Sequence, residues 1–216
     1  MSTFTVSGQH YLFNVQTFAH VVLSLGGDRY QYAFRDRSTY DVIEDVASEE
    51  SELGVLLETS ETASDLERTF EEAGLSFTEL IKSTPRVALP KSHPLVNADI
   101  LTLDQLDEYP YIYFEQEKDA PLYFAEEALA GADHPKSISA TDRASLSELI
   151  VALNGYTITS GILVGITDGS LLSTVALDTD VTLHLGYVAR KGEDLSAIGK
   201  LYVEKLSENL KKYAKF

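Results

Sequence analysis

The sequence predicts an α/β protein with mixed, mostly parallel sheets and flanking helices. Three observations carry this. Strand-like and helix-like patterns alternate from Thr3 to Lys82; capping residues and glycines mark the helix ends; and Thr84-Pro85 interrupts the alternation before a second set begins. Strands alternating with helices favour parallel pairing, because each crossover helix covers a face of the sheet. The stretch Arg86–Phe114 then starts a second half, so the chain reads as two halves with a cleft between them.

The elements follow in order. Residues 3–7 (TFTVS) are a β-rich run before Gly8. Leu12, Val15, Phe18, Ala19, Val22 and Leu25 fall on one helical stripe, which Gly26-Gly27 stops. Tyr30–Arg35 alternates as a strand. Thr39–Ala47 reads as a helix burying Tyr40, Ile43 and Val46 or Ala47. Glu52–Glu58 (ELGVLLE) is apolar enough for a strand covered on both faces. Ser64-Asp65-Leu66-Glu67 reads as a capping box opening a short helix that ends at Gly74. Leu75–Lys82 alternates again. In the second half, Val87–Leu89 is a strand ended by Pro90. Thr102-Leu103-Asp104-Gln105 caps a short helix, and Tyr111–Phe114 is a strand. Asp119–Ala130 is expected to be a helix with Pro121 in its first turn. Ser137–Ala140 is a strand. A helix follows, capped by Asp142 or by Ser145, with Leu146, Leu149, Ile150 and Leu153 on its stripe. Tyr156–Thr159, Val175–Leu177 and Thr182–Ala189 are strands. Asp194 is expected to cap a last amphipathic helix carrying Ile198, Leu201, Tyr202, Lys205, Leu206 and Leu210.

Composition sets limits on function. The chain has 216 residues, with Lys plus Arg 17 against Asp plus Glu 34, a net charge of −17. So acidic a surface repels phosphate backbones, so nucleic acid is not an expected ligand of this chain. The basic cluster Lys205–Lys215 reads as dipole compensation at a helix end. No run of about eighteen apolar residues predicts a membrane span, and the N-terminus lacks the features of a signal peptide. Cysteine is absent, which rules out disulfides and thiolate metal sites and fits a reducing compartment.

Four stretches resemble one family. VALPKSHPLV, LTLDQLDEYPYIYF, ISATDRASLSELIVALNGYTITSGI and LHLGYVARKGEDLSAIGKLYVEKLSENL are similar, in order and spacing, to the effector-binding domain of LysR-type transcriptional regulators. The resemblance implies a two-lobed, type 2 periplasmic-binding-protein-like fold with two crossover hinge strands. One lobe would be 1–83 plus 185–216 and the other 84–184, with crossings near Ser83–Arg86 and His184–Gly186. It also implies a small-molecule effector, no cofactor, a cytoplasmic setting and a homodimer paired through the first helix, at Phe13, Gln16 and Thr17 or their neighbours. The family's DNA-binding helix-turn-helix and linker helix would precede Thr3. The chain is therefore expected to be an excised domain, or a protein that has dispensed with DNA. A stand-alone binding module and an enzyme on the same fold are the rival readings.

By the same resemblance the effector would touch Ser7, Gly8, Gln9 and His10; Leu57, Glu58, Thr59 and Ser60; Phe114, Glu115 and Gln116; and Thr141 and Asp142. Ser160 and Gly161 would close the back. Read from the residues alone, Ser7-Gly8-Gln9 opens a helix, whose free N–H groups and dipole suit a carboxylate. Ser7 as a cap alone and as cap plus contact both stand. Thr141 and Asp142 read first as caps. His10 reads as a cleft contact, a surface residue or a pH-sensitive switch. His93 lies in a Pro-flanked turn and reads as structural. Asp178 and Asp180 read as a solvated turn rather than a metal loop. Tyr109, Tyr111, Tyr113 and Phe114 read as packing. No nucleophile elbow, zinc-protease or phosphate-loop motif is present, so no catalytic or metal residue is assigned. An enzyme would have to pair His10 with Glu58 or Glu115.

Overall fold

The computed structural model describes residues 3–26, 31–164 and 171–213. Strands β1 (Thr3–Gly8), β2 (Gln31–Asp36), β3 (Leu53–Thr59) and β4 (Leu75–Ser83) alternate with helices α1 (Leu12–Leu25), α2 (Thr39–Ala47) and α3 (Ala63–Glu72). β3 shows what organises them. Residues two apart in a strand share a face, so an unbroken apolar run must be covered on both sides. All 7 residues of β3 are buried. Leu53, Val55 and Leu57 join a cluster with Phe4, Phe13 and Leu206. Leu56 joins a second cluster with Val42, Ile43 and Phe70.

Gly54 lies where a Cβ would collide with Val42 of α2. Gly54→Ala is expected to destabilise the protein by about 1–3 kcal/mol through overpacking, measured by denaturant unfolding. Adding Val42→Ala should recover part of that loss; additive losses would refute the contact as the cause.

The first sheet has the order β2-β1-β3-β11-β4, where β11 (Leu183–Arg190) returns late in the chain. β1 runs parallel to β2 and β3, while β11 is antiparallel to β3 and β4. Helix α5 (Ala197–Tyr213) buries Tyr202, Leu206 and Leu210 and packs along α1. Lys211 and Lys212 stand in its last turn, as dipole compensation requires.

The remaining elements are β5 (Arg86–Pro90), β6 (Ile100–Leu101), β7 (Tyr111–Phe114), β8 (Ser137–Ala140), α4 (Arg143–Ala152), β9 (Thr157–Thr159) and β10 (Leu172–Leu177). They build a sheet of order β6-β10-β5-β9 and a parallel pair β7-β8. The Ile112 N–H donates to the Tyr156 carbonyl at 2.8 Å, tying the pair to the sheet. The chain leaves the first sheet at Thr84-Pro85. It returns between Leu177 and Leu183, where His184–Gly186 pair with Glu58, Leu57 and Leu56.

Several local expectations fail for identifiable reasons. Residues 119–130 are not a helix; only Leu122–Phe124 form a 3-10 turn. Asp119 and Leu129 have φ of 63° and 60°, and the Phe124 and Glu126 carbonyls accept from Thr39 and Tyr11 of the first half. Tertiary hydrogen bonds thus take the acceptors a helix would use. The buried face of α1 is Phe13, Asn14, Thr17 and Val21, not the apolar stripe. The cause is a polar seam with α5, in which Asn209 Nδ2 donates to Thr17 Oγ1 and the Tyr202 hydroxyl to the Asn14 carbonyl. Phe13 and Thr17, at 1% and 0% exposure, cannot form a dimer contact; Leu23, 78% exposed, is available instead.

Tyr40 and Leu153 are likewise exposed. The cap of α3 is Thr62 rather than Ser64, since the Thr62 hydroxyl accepts from the Thr59 N–H in the preceding turn. The Ser196 hydroxyl, not Asp194, accepts from the Gly199 N–H at the start of α5. Asp142 caps α4, accepting from the Ser145 N–H at 2.9 Å. Tyr30, Gly27 and Lys215 lie outside the described residues.

Candidate functional site

Three chain segments converge where the two sheets face each other. One is Gln9-His10-Tyr11, between β1 and α1. Another is the irregular stretch after β7, and the third is the start of α4. The His10 N–H donates to Glu126 Oε2 at 3.0 Å, and His10 Nδ1 lies 2.9 Å from Glu126 Oε1. The His10 ring stacks on Phe114 with centroids 4.3 Å apart. The Tyr11 hydroxyl donates to the Glu126 carbonyl at 3.0 Å. Further bonds join the halves: Thr39 to the Phe124 carbonyl, Ser38 to Glu117, and Arg143 to Asp36.

These contacts close a cavity of about 80 Å³ whose polar walls include His10, Glu126, Glu127, Arg143 and Thr159. Its floor is apolar, with Phe114, Ile150 and Ile158. The Arg143 guanidinium uses Nη2 for Asp36, while Nη1 is buried without a partner among the described residues. Burial pulls its pKa down, yet a guanidinium stays charged at neutral pH. Glu127 Oε1 accepts from the Phe114 N–H, and Oε2 is buried without a partner among the described residues. Burial, then the neighbouring Glu126 charge, holds the Glu127 carboxyl well above the usual carboxylate range. A cation with one buried, unpartnered N–H, a carboxyl biased toward its protonated form and an apolar floor thus meet in one cavity.

The residues expected from the sequence fall in several places. His10 lines the cavity, and Gln116 touches its wall by donating to Glu126 at 3.3 Å. Ser7 does not cap a helix, because α1 starts at Leu12 with Tyr11 as its cap; its hydroxyl bonds Asp45 and Ser51 inside the first half. The Gly8 carbonyl accepts from the Arg37 N–H. The Gln9 amide is fully buried between Thr39 and Leu57. Glu58 lines a different cavity beneath α3. The Thr59 hydroxyl accepts from the Glu61 N–H in the turn after β3, and Ser60 pairs with Thr182. Glu115 accepts from Ser139. Thr141 and Asp142 are exposed at the start of α4, and the Ser160 carbonyl accepts from Ser83. His93 is buried in its turn, its Nδ1 accepting from the Leu95 N–H.

The LysR substrate-binding domain profile matches residues 31–211. The chain belongs to this family. No curated protein is significantly similar in sequence. Among solved structures, the effector-binding domain of QuiR in complex with shikimate superposes with a TM-score of 0.63 at 15% identity, covering 99% of each chain. The effector-binding domain of a BenM variant gives 0.66 at 14% identity, covering 98% of this chain and 96% of that one. HinK, a LysR family regulator from Pseudomonas aeruginosa, gives 0.63 at 15% identity, covering 97% and 70%. The LysR-type, periplasmic-binding-protein-like fold expected from the sequence is thus the observed one.

Within this LysR domain, sequence reasoning missed Glu126, Glu127 and Arg143. Arg143 directly follows the Asp142 cap, a place where an arginine normally faces solvent. Two adjacent glutamates in an expected helix carry no local signal that they turn inward. Only the irregular path of 115–134 turns both into the wall.

Proposed function

We propose that this chain senses a small organic anion in the His10–Arg143 cavity, as the effector-binding domain of a LysR-type regulator. The observation that carries the reading is Arg143 Nη1, a buried charged donor with no partner among the described residues, at the wall of a cavity closed by residues of both halves. A buried donor left unpaired costs free energy; a carboxylate of the ligand would offset that cost. The lobes are the residues up to Ser83 together with those from Leu183 onward, and residues 84–182 between them. The His10–Glu126, Tyr11–Glu126 and Thr39–Phe124 bonds are the closed state's fastenings. A ligand that binds this state more tightly than an open one shifts the lobe angle.

In the cell the domain works in the cytoplasm as a homodimer through α1, with Leu23 and its neighbours at the contact. It reaches DNA only through a helix-turn-helix outside this chain. The site binds its ligand and releases it unchanged.

Thermal-shift measurements with benzoate and shikimate, against benzamide as the uncharged control, test the reading. Binding to the folded state raises Tm by mass action. A rise with a carboxylate and none with benzamide is expected. Equal rises, no rise with either carboxylate, or chemical conversion of a bound compound would refute it.

A further inference from the structure

A second cavity, of about 270 Å³, runs beneath α3 and shares no lining residue with the first. Glu58, Lys191 and, from α3, Glu67 and Glu71 line it. Lys191 Nζ lies 3.3 Å from Glu71. Its apolar wall is Phe70 and Phe77, stacked with centroids 6.0 Å apart. Glu58 is only 9% exposed, and among the described residues its carboxyl has neither a hydrogen bond nor an ion pair. Glu67, one helical turn before Glu71, is also without an ion pair among them. A largely buried carboxyl without a protein partner, in one cavity with a second unpaired one, is a costly arrangement.

We propose that this cavity is a binding site for an organic ammonium ion, with the cationic head between Glu58 and Glu67 and an apolar body on Phe70 and Phe77. A metal ion is a poor occupant, because no group of three carboxylate or imidazole ligands converges among the described residues. The head would be held by charge-assisted hydrogen bonds at Glu58, and by attraction to the aromatic faces. The acidic cavity repels anions, so its ligand differs in charge from that of the His10–Arg143 cavity.

The proton is the competing occupant. Burial, then Glu67 and Glu79, raise the Glu58 pKa to about 7. The groups around it are Glu67 and Glu71 on α3, Glu79 and Lys82 on β4, His184 on β11, and Lys191 beyond it. Glu79 is itself engaged by His184 at 2.7 Å and Lys82 at 3.8 Å, leaving Glu58 and Glu67 as the free receivers. An ammonium binds the ionised form, so its affinity rises as pH climbs through 7 and levels off above it.

Calorimetric titration of the whole chain with phenethylamine hydrochloride tests the site, with phenylpropanol as uncharged analogue and magnesium chloride as metal control. Saturable binding of the amine at about pH 8, weaker at about pH 6, is expected. Glu58→Gln should reduce the affinity by about tenfold or more. That variant keeps the side-chain shape and removes a carboxyl whose ionised form is disfavoured in the fold. Its Tm above pH 7 should therefore equal or exceed that of the parent, so lost binding cannot be lost folding. Equal binding of phenylpropanol, unaltered affinity in Glu58→Gln, displacement of the amine by magnesium, or no saturation below about 10 mM would overturn the assignment. Carboxylate binding in the other cavity should be unaffected by Glu58→Gln, so the two readings fail separately.

Discussion

Gln9→Leu should destabilise the protein by about 2–4 kcal/mol, among the largest losses open to a polar residue here. β1 ends at Gly8, one residue short of the partner that β3 needs. The Gln9 side chain supplies the missing rung. Its Oε1 accepts from the Leu57 N–H at 2.7 Å, and its Nε2 donates to Thr39 Oγ1 at 2.6 Å. Thr39 passes the connection to the second half by donating to the Phe124 carbonyl at 2.7 Å. Leucine fills the same volume but leaves the Leu57 N–H buried without an acceptor. The midpoint of thermal unfolding should fall by roughly 5–15 °C, and hydrogen exchange at the Leu57 amide should speed up selectively. A fall below about 2 °C would mean that water replaces the side chain.

Gln9 also shows how far the sequence could be read. Its neighbourhood was legible as a loop ending a strand, and its place in the first half follows from strand and helix periods alone. β3 was legible because its apolar run has one physical solution, cover on both faces. The segment 115–134 was not. Pro121, Gly131 and well-spaced apolar residues satisfy every local rule for a helix. The outcome is decided by Thr39 and Tyr11, more than eighty residues earlier, which claim its carbonyls. The same long-range choice turns Glu126 and Glu127 inward, so the acidic half of the site was hidden together with the loop that carries it. α1 was misread in a different way. Period gives an apolar stripe, but the α5 seam buries Asn14 and Thr17 and leaves Leu23 and Leu25 outside. A hydrophobic stripe marks what is buried somewhere, in the protomer or against a partner.

Arg143→Met should lower the affinity for benzoate or shikimate by about 100-fold or more, since a buried charged hydrogen bond is lost. The free protein should behave otherwise. Arg143 is half-buried, with one nitrogen on Asp36 and another buried without a partner among the described residues. Burying a charge costs more than a partly exposed ion pair returns, and methionine has comparable length without that cost. The Tm of the unliganded variant should therefore equal or exceed that of the parent, while the Tm rise on adding carboxylate disappears. A residue with a merely structural role would show the reverse, a lower Tm with ligand binding retained. Arg143→Lys separates charge from shape. An ammonium keeps the attraction but not the forked geometry that lets one guanidinium hold Asp36 and a carboxylate together. It should recover part of the affinity and not all of it. Binding in Arg143→Met within about threefold of the parent would remove Arg143 from the site and leave His10, Glu126, Glu127 and Thr159 as its polar walls.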